Sequence, residues 1–238
     1  MIVSRDRQVH SGGEGRFGYM RPKVILSNAV SLNGSLTGFP VDLGTYYSRL
    51  LAWRPDAVLV GSQTVLLAHE EIPPEVEADF IRPECRQDDP RPMWVVVDSR
   101  GVLEGRLHLY RRMEYTRGII ILLSKKTPER YRRYLADRQY DTITAGEDRV
   151  DLARALDLLG ELYGVETLVT DTGGTLNRVL LDAGLVDEIS VILVPVLAGT
   201  IATPLYRSER GEADAIPLSL ERCEPAGDGY LHLIYRVQ

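Results

Sequence analysis

The strongest constraint on this chain is a succession of short apolar runs, most of them closed by a polar or glycine residue. Val24–Val30, Asp56–Gly61, Met93–Asp98, Gly118–Ser124 and Glu166–Asp171 are each only a few residues long and rich in Val, Ile and Leu. Runs of this kind, bounded by turn residues, suit strands buried on both faces. Asp141–Ala145 adds a shorter strand and Glu188–Leu197 a longer one. Segments with helical spacing alternate with them: Leu43–Trp53, Thr127–Arg138, Asp151–Tyr163 and Leu176–Ala183. In Asp151–Tyr163 the residues Leu152, Leu156, Leu159 and Tyr163 recur at helical intervals, with Asp151 placed to start the helix. A β-α-β order of apolar strands predicts a mostly parallel sheet covered by helices. The C-terminus breaks the pattern, because Leu218–Pro225 and Tyr230–Val237 flank Gly227 and Gly229 without a helix between them. That predicts an antiparallel hairpin.

The connecting segments carry weaker signals. Ser62–Glu71 reads as a loop or a short helix, and Ile72–Pro92 as a surface loop with room for one helical turn. The many arginines of Thr127–Arg138 read as a solvated face. With no linker or repeat among the 238 residues, one domain is expected over 21–238, preceded by a polar, glycine-rich tail over 1–20. Gly13, Gly15 and Gly18 in that tail spell G-x-G-x-x-G. The dinucleotide fingerprint needs a strand before the glycines and a helix after them, and neither is present.

Charge and cysteine content exclude several functions. A net charge of −6 leaves no basic excess for general nucleic-acid binding. No apolar run approaches the ~20 residues of a membrane span, and the N-terminus lacks the apolar core of a signal peptide. Cys85 and Cys223 lie far apart with no metal-ligand spacing, which fits free thiols in a reducing, cytoplasmic compartment. No metal is expected: neither His-x-His nor His-Glu-x-x-His occurs, and the four histidines are scattered. Walker A and Gly-x-Ser-x-Gly patterns are absent too.

The chemistry is expected at strand ends. In an open α/β sheet, ligands bind outside the carboxyl ends of the strands. Three such ends carry polar or glycine punctuation: Gly61 and Thr64, then Asp98 and Ser99, then Asp171, Gly173, Gly174 and Thr175. Gly173 and Gly174 stand where a strand hands over to a helix, and a helix N-terminus suits a phosphate. From spacing alone, the same residues are equally those of tight turns. His69 follows the second strand end and is the histidine placed to face such a cleft.

Four ordered blocks carry a family resemblance. The stretch Gly173–Gly199 resembles the reductase family of riboflavin biosynthesis, found as the C-terminal domain of the bifunctional deaminase-reductase and as stand-alone enzymes. Ile25–Gly38, Arg54–Leu66 and Arg91–Leu103 resemble that family's first strand and loop, its Val-Gly-x-x-Thr-Val-Leu turn and its Val-Val-Asp-Ser strand end. The resemblance implies an α/β, dihydrofolate-reductase-like three-layer sandwich with a mostly parallel central sheet and an antiparallel C-terminal hairpin edge. It also implies a homodimer, with Glu188–Leu197 a candidate interface element, that uses NADPH to reduce a ribosylamino-pyrimidine 5′-phosphate to its ribitylamino form. Gly61, Thr64, Asp98, Ser99, Gly173, Gly174, Thr175 and Leu176 would hold the cofactor, with Arg100 near its extra phosphate. Asp171 would be catalytic, and Asn28, Asn33, Ser35 and His69 would line the substrate side.

The chain departs from the family at several positions. The Leu-Asp-Gly-Lys loop is Leu32-Asn33-Gly34-Ser35, Asp-Asp-Pro is replaced by Ala68-His69-Glu70, and Glu-Gly-Gly-Gly reads Asp171-Thr172-Gly173-Gly174. The losses fall mostly on the substrate side. Two alternatives therefore stay open: a reductase of the same fold acting on another small carbonyl, imine or pterin-like substrate, and a non-catalytic nucleotide-binding relative.

Overall fold

The apolar runs form strands whose two faces are both covered. A computed structural model of the chain describes residues 21–67, 72–83, 89–199, 203–206 and 215–238. The expected tail over 1–20, its glycine motif, Cys85 and His69 lie outside them. The strands are β1 (Lys23–Ser31), β2 (Ala57–Gly61), β3 (Met93–Val97), β4 (Gly118–Leu123), β5 (Asp141–Thr144), β6 (Thr167–Thr170), β7 (Glu188–Val194), β8 (Leu218–Pro225) and β9 (Leu231–Val237). They join in one nine-stranded sheet of order β5-β4-β3-β2-β6-β1-β7-β9-β8. Every pairing from β5 to β7 is parallel, whereas β9 runs antiparallel to both β7 and β8. This is the mostly parallel sheet with an antiparallel C-terminal edge that the sequence predicts.

Alternation along each strand divides the core into two layers. Val24, Leu26, Leu59, Val95 and Ile120 pack on one face against Leu152, Leu156 and Leu159 of α5 (Leu152–Tyr163) and Leu180 of α6 (Gly174–Asp182). Ile25, Val58, Val60, Val96 and Ile121 point the other way. They meet Tyr46 and Leu50 of α1 (Leu43–Leu51), Val65 of α2 (Ser62–Leu67), Tyr110 of α3 (His108–Arg111) and Tyr131 and Leu135 of α4 (Glu129–Asp137). Each fully buried aliphatic side chain contributes roughly 1.5–3 kcal/mol, so the two layers supply the main driving force for folding.

The boundaries follow local chemistry. Asp151 caps α5 by accepting from the Arg154 N–H, and Gly164 ends it in the left-handed conformation (φ 66°). Strand β7 stops at Val194 rather than Leu197, because Pro195 has no N–H for the ladder. Helix α6 begins at Gly174, two residues before the expected Leu176. The short α3 carries no sequence signal strong enough to predict it, and among the described residues of 72–92 the helical turn is a 3₁₀ turn at Glu77–Phe80.

Arg130 and Arg133 are exposed, but two arginines of the Thr127–Arg138 stretch do more than form a solvated face. Arg138 makes two 2.7 Å bonds to Glu75 and stacks over Phe80 and Tyr134, while Arg132 donates to the Thr127 and Ser124 carbonyls. Their planar guanidinium groups satisfy carbonyls and carboxylates that a smooth helix face would leave unpaired.

The last strand carries a buried histidine. His232 Nε2 lies 2.8 Å from Ser190 Oγ, and Nδ1 lies 3.5 Å from Glu224. Burial lowers its pKa below the ordinary 6.5, although Glu224 opposes the change. The unfolded chain therefore takes up this proton first as pH falls, and the neutral imidazole contributes stability that is complete above about pH 6.5 and lost below it. The thermal midpoint of wild type minus that of His232→Gln should be flat above pH 7 and fall on acidification, as read by calorimetry. A difference that stays constant down to pH 5 would remove His232 from the acid response.

Candidate active site

The carboxyl ends of β1, β2, β3 and β6 open into one cleft of about 750 Å³, a size typical of small-molecule and cofactor sites. The order β3-β2-β6-β1 brings together residues remote in the chain. Gly61 and Thr64 follow β2, Ser99 and Arg100 follow β3, and Asp171 to Leu176 follow β6. Asn28 of β1 reaches the floor, and Leu36, Thr37, Tyr46 and Tyr47 come from the β1–α1 connection and α1.

The two glycines have different duties. Gly173 is the N-cap of α6, in an extended conformation (φ −83°, ψ 172°), with no capping side chain. A Cβ there would meet nothing within 4 Å, so the first turn of α6 is open toward the cleft. The leading N–H groups of a helix have no partners inside it and favour an anion. At Gly174 a Cβ would stand 2.5 Å from the Pro204 carbonyl oxygen. Gly174 therefore admits the protein's own backbone, the Thr203–Pro204 segment that bridges to Ser35. Gly173, not Gly174, leaves room for a ligand.

Asp171 sits between the β6 end and α1. Its Oδ1 accepts from Tyr46 Oη at 2.8 Å and its Oδ2 from Tyr47 Oη at 3.3 Å. Burial raises its pKa above the usual carboxylate value, and the two phenols pull it back down. The floor is locked by amides: Asn177 donates to Asn28 at 2.7 Å, and Asn28 donates to the Thr172 carbonyl at 2.9 Å. Both amide ends of Asn28 are thus engaged, so it sets the height of the Asp171–Thr172 turn.

Three residues expected to touch ligand are instead bound into turns. Asp98 is buried and accepts from the Val102 and Leu103 N–H groups at 3.1 and 3.0 Å, leaving Ser99 and Arg100 to line the cleft. Asn33 clips the Ala198 backbone with two bonds, at 2.8 Å to the carbonyl and 2.9 Å from the N–H. Ser35 is fully buried and donates to the Thr37 carbonyl. A short polar side chain in a tight loop finds backbone partners before it finds a ligand. Tyr46 and Tyr47 escape sequence reasoning because helical spacing marks Tyr46 as core, and nothing local ties α1 to Asp171.

Comparison with known proteins gives the family and the fold. Residues 22–232 match the model of the RibD C-terminal domain. The chain belongs to this family. It is 30% identical over 222 residues to the 2,5-diamino-6-ribosylamino-4(3H)-pyrimidinone 5′-phosphate reductase of Archaeoglobus fulgidus, covering 89% of this chain and 96% of that protein. It is 32% identical over 218 residues to the protein of that name from Methanothermobacter thermautotrophicus, covering 88% and 95%. The fold is shared with a pyrimidine reductase-like protein from Corynebacterium diphtheriae (TM-score 0.67, 18% identity, 91% of this chain and 92% of that one). It is shared also with Acinetobacter baumannii RibD (TM-score 0.65, 21% identity, 92% of this chain and 58% of that one).

The cleft is suited to a nicotinamide cofactor. Gly173 leaves a cradle that a side chain would fill, the α6 N-terminus beside it has no side-chain cap, and Arg100 is exposed with no ion-pair partner among the described residues. Gly173→Val should weaken binding of the reduced cofactor at least tenfold in a fluorescence titration, with a near-native melting temperature. Gly174→Val should instead lose stability, by the roughly 1–3 kcal/mol typical of overpacking. Equal cofactor affinity in wild type and Gly173→Val would move the phosphate site elsewhere.

Proposed function

We propose that this protein reduces 2,5-diamino-6-ribosylamino-4(3H)-pyrimidinone 5′-phosphate to its ribitylamino form with NADPH. The observation that carries this reading is the near full-length match to two reductases bearing that substrate's name, in a chain whose strand ends form the cleft around Asp171 and Gly173. The chain is an oxidoreductase of the riboflavin-biosynthesis type. NADPH, when bound, supplies the two electrons and the hydrogen that reach C1′ of the sugar.

The chain's own residues supply placement and a proton. Opening the ribose ring leaves its ring oxygen as a hydroxyl, so one proton must arrive there. Serine occupies the family's lysine position, and that residue, Ser35, is buried in its loop. Asp171 is the acid that lines the cleft among the described residues, and burial raises its pKa toward the working range of a general acid. The start of α6 and Thr175 would hold the cofactor's diphosphate. Arg100 would pair with its 2′-phosphate and so favour NADPH over NADH. Apolar Leu36, Val41 and Val179 would shed water from the reacting face.

A second reading has a specific observation behind it. Arg100 is the one Lys or Arg that lines the cleft among the described residues, whereas a phosphorylated substrate and NADPH both carry phosphate. A reductase acting on an unphosphorylated imine or carbonyl would need less positive charge. We also propose a cytoplasmic homodimer. The exposed leucines of the outer hairpin, Leu218, Leu220 and Leu231, support an association surface, and a sedimentation mass near 26.7 kDa would overturn the dimer.

The deciding experiment follows cofactor oxidation with the ribosylamino-pyrimidinone phosphate and with its dephosphorylated form. Turnover of the phosphate ester establishes the first reading, and turnover of the dephosphorylated compound alone establishes the second. Asp171→Ala should lower kcat by about 10²–10⁴, the usual worth of a general acid, with cofactor affinity unchanged. Arg100→Ala should weaken NADPH about tenfold and leave NADH unaffected, consistent with loss of one charge-assisted contact.

A further inference from the structure

We propose that Tyr46 and the Ser27 carbonyl form a two-position hydrogen-bond switch that receives Asp171 in either charge state, making Tyr46 the positioning residue for the proton step. The inference rests on the reductase reading above for its chemistry, but its geometry is independent of it. Tyr46 Oη lies 2.8 Å from Asp171 Oδ1 and 3.1 Å from the Ser27 carbonyl oxygen. A phenol has one proton to donate, and a carbonyl can only accept.

Two arrangements satisfy these atoms without moving a heavy atom. With Asp171 ionised, Tyr46 donates to its carboxylate. With Asp171 protonated, the acid donates to Tyr46 Oη, and Tyr46 turns its own proton to Ser27. Tyr47 Oη, 3.3 Å from Oδ2 and half-exposed in the cleft, adds a second donor to the ionised form. Tyr46 itself is buried, and burial together with Asp171 keeps it a phenol, so it serves the acid rather than acting as one.

The charge of Asp171 is set by few neighbours. Helix α1 contributes Tyr46 and Tyr47, and Tyr115, whose own pKa burial and Asp171 raise, lies beyond them. No Lys, Arg or His acts on it among the described residues. A lone buried carboxyl would hold its proton too tightly to release it, and the phenol donors stabilise the carboxylate as it forms. The switch thus takes over work that a cation performs elsewhere, with dipoles already in place when charge develops.

In the reaction the acid proton swings from Tyr46 Oη to the ring oxygen of the sugar, and Tyr46 returns its own proton from Ser27 to the carboxylate that forms. The C1′–oxygen bond breaks with its electron pair on that oxygen, and the exocyclic nitrogen lone pair closes a C=N bond. Hydride from the bound cofactor would reduce that bond at C1′, and a solvent proton restores Asp171.

The test reads the carboxyl directly in the cofactor-free protein. The infrared C=O band of protonated Asp171, identified by its loss in Asp171→Asn, is titrated in wild type, Tyr46→Phe and Tyr47→Phe. We expect a wild-type midpoint above the usual carboxylate range. Tyr46→Phe should move it up by about one pH unit, the worth of one donor to a charged group, and Tyr47→Phe should move it up by less. The alkaline limb of the kcat profile should move up with it, with kcat about tenfold lower and KM within twofold. A midpoint that is unmoved or lowered in both variants overturns the switch; should Tyr46→Phe not fold, Tyr47→Phe alone decides by the same sign. If the infrared pattern holds while wild type ignores the pyrimidinone phosphate, the substrate reading fails and the switch stands. If wild type turns that substrate over while the midpoint stays unmoved in the variants, the switch fails and the substrate reading stands.

Discussion

The bond from Asn177 to Asn28, and from Asn28 to the Thr172 carbonyl, carries much of this site. It joins α6, β1 and the turn after β6 through amide groups that are all buried. A buried amide without partners costs about 1–3 kcal/mol per group, so the three elements are held at one distance. That distance places Asp171 against Tyr46 and Tyr47, and opens Gly173 to the cleft. If the Asp171–Thr172 turn rose by about an ångström, the carboxyl would lose its phenols and the α6 N-terminus would turn from the floor.

The second support is the Thr203–Pro204 segment, packed on Gly174 at a distance no side chain tolerates. It also bridges to Ser35, and the Leu36 N–H donates to the Thr203 carbonyl at 2.8 Å. Loop polarity that resembles substrate recognition is therefore spent on architecture: Asn33 holds Ala198, Ser35 holds Thr37, and Asp98 holds its own turn. The side chains left facing the cleft are largely apolar, with one cation and one half-buried acid among the described residues. Such a site fits the proposed reaction, in which the protein would supply orientation and a proton while the difficult chemistry belongs to the cofactor.

Much of the fold was legible because its signals are local. Buried parallel strands need continuous Val, Ile and Leu, and the five runs from Val24 to Asp171 have them. The cap Asp151 marks the start of its helix by chemistry that acts within a few residues. The strand-end clusters at Gly61, Ser99 and Asp171 were legible as one cleft because a parallel sheet must place its carboxyl ends on one side. The Tyr46–Asp171 contact was not, since 125 residues separate the partners and helical spacing gives Tyr46 a sufficient reason to be apolar core. Arg138 departs from the solvated reading of Thr127–Arg138 for a related reason: exposure was inferred from charge, while its planar guanidinium lies over Tyr134 and Phe80; Arg130 and Arg133 are exposed.

By itself, then, the sequence determined the strands, their mostly parallel order, the C-terminal hairpin and the family, through patterns short enough to be read along the chain. Only the tertiary structure decided which polar residues face the cleft. Asp98, Asn33 and Ser35 have the same composition signal as Ser99, Thr175 and Asp171, and what separates them is a backbone partner within about 3 Å, from the same turn for Asp98 and Ser35 and from Ala198 for Asn33. The division between Gly173 and Gly174 was decided in the same way. The two glycines are identical in the chain, yet one borders open space and the other a carbonyl brought in from 30 residues downstream.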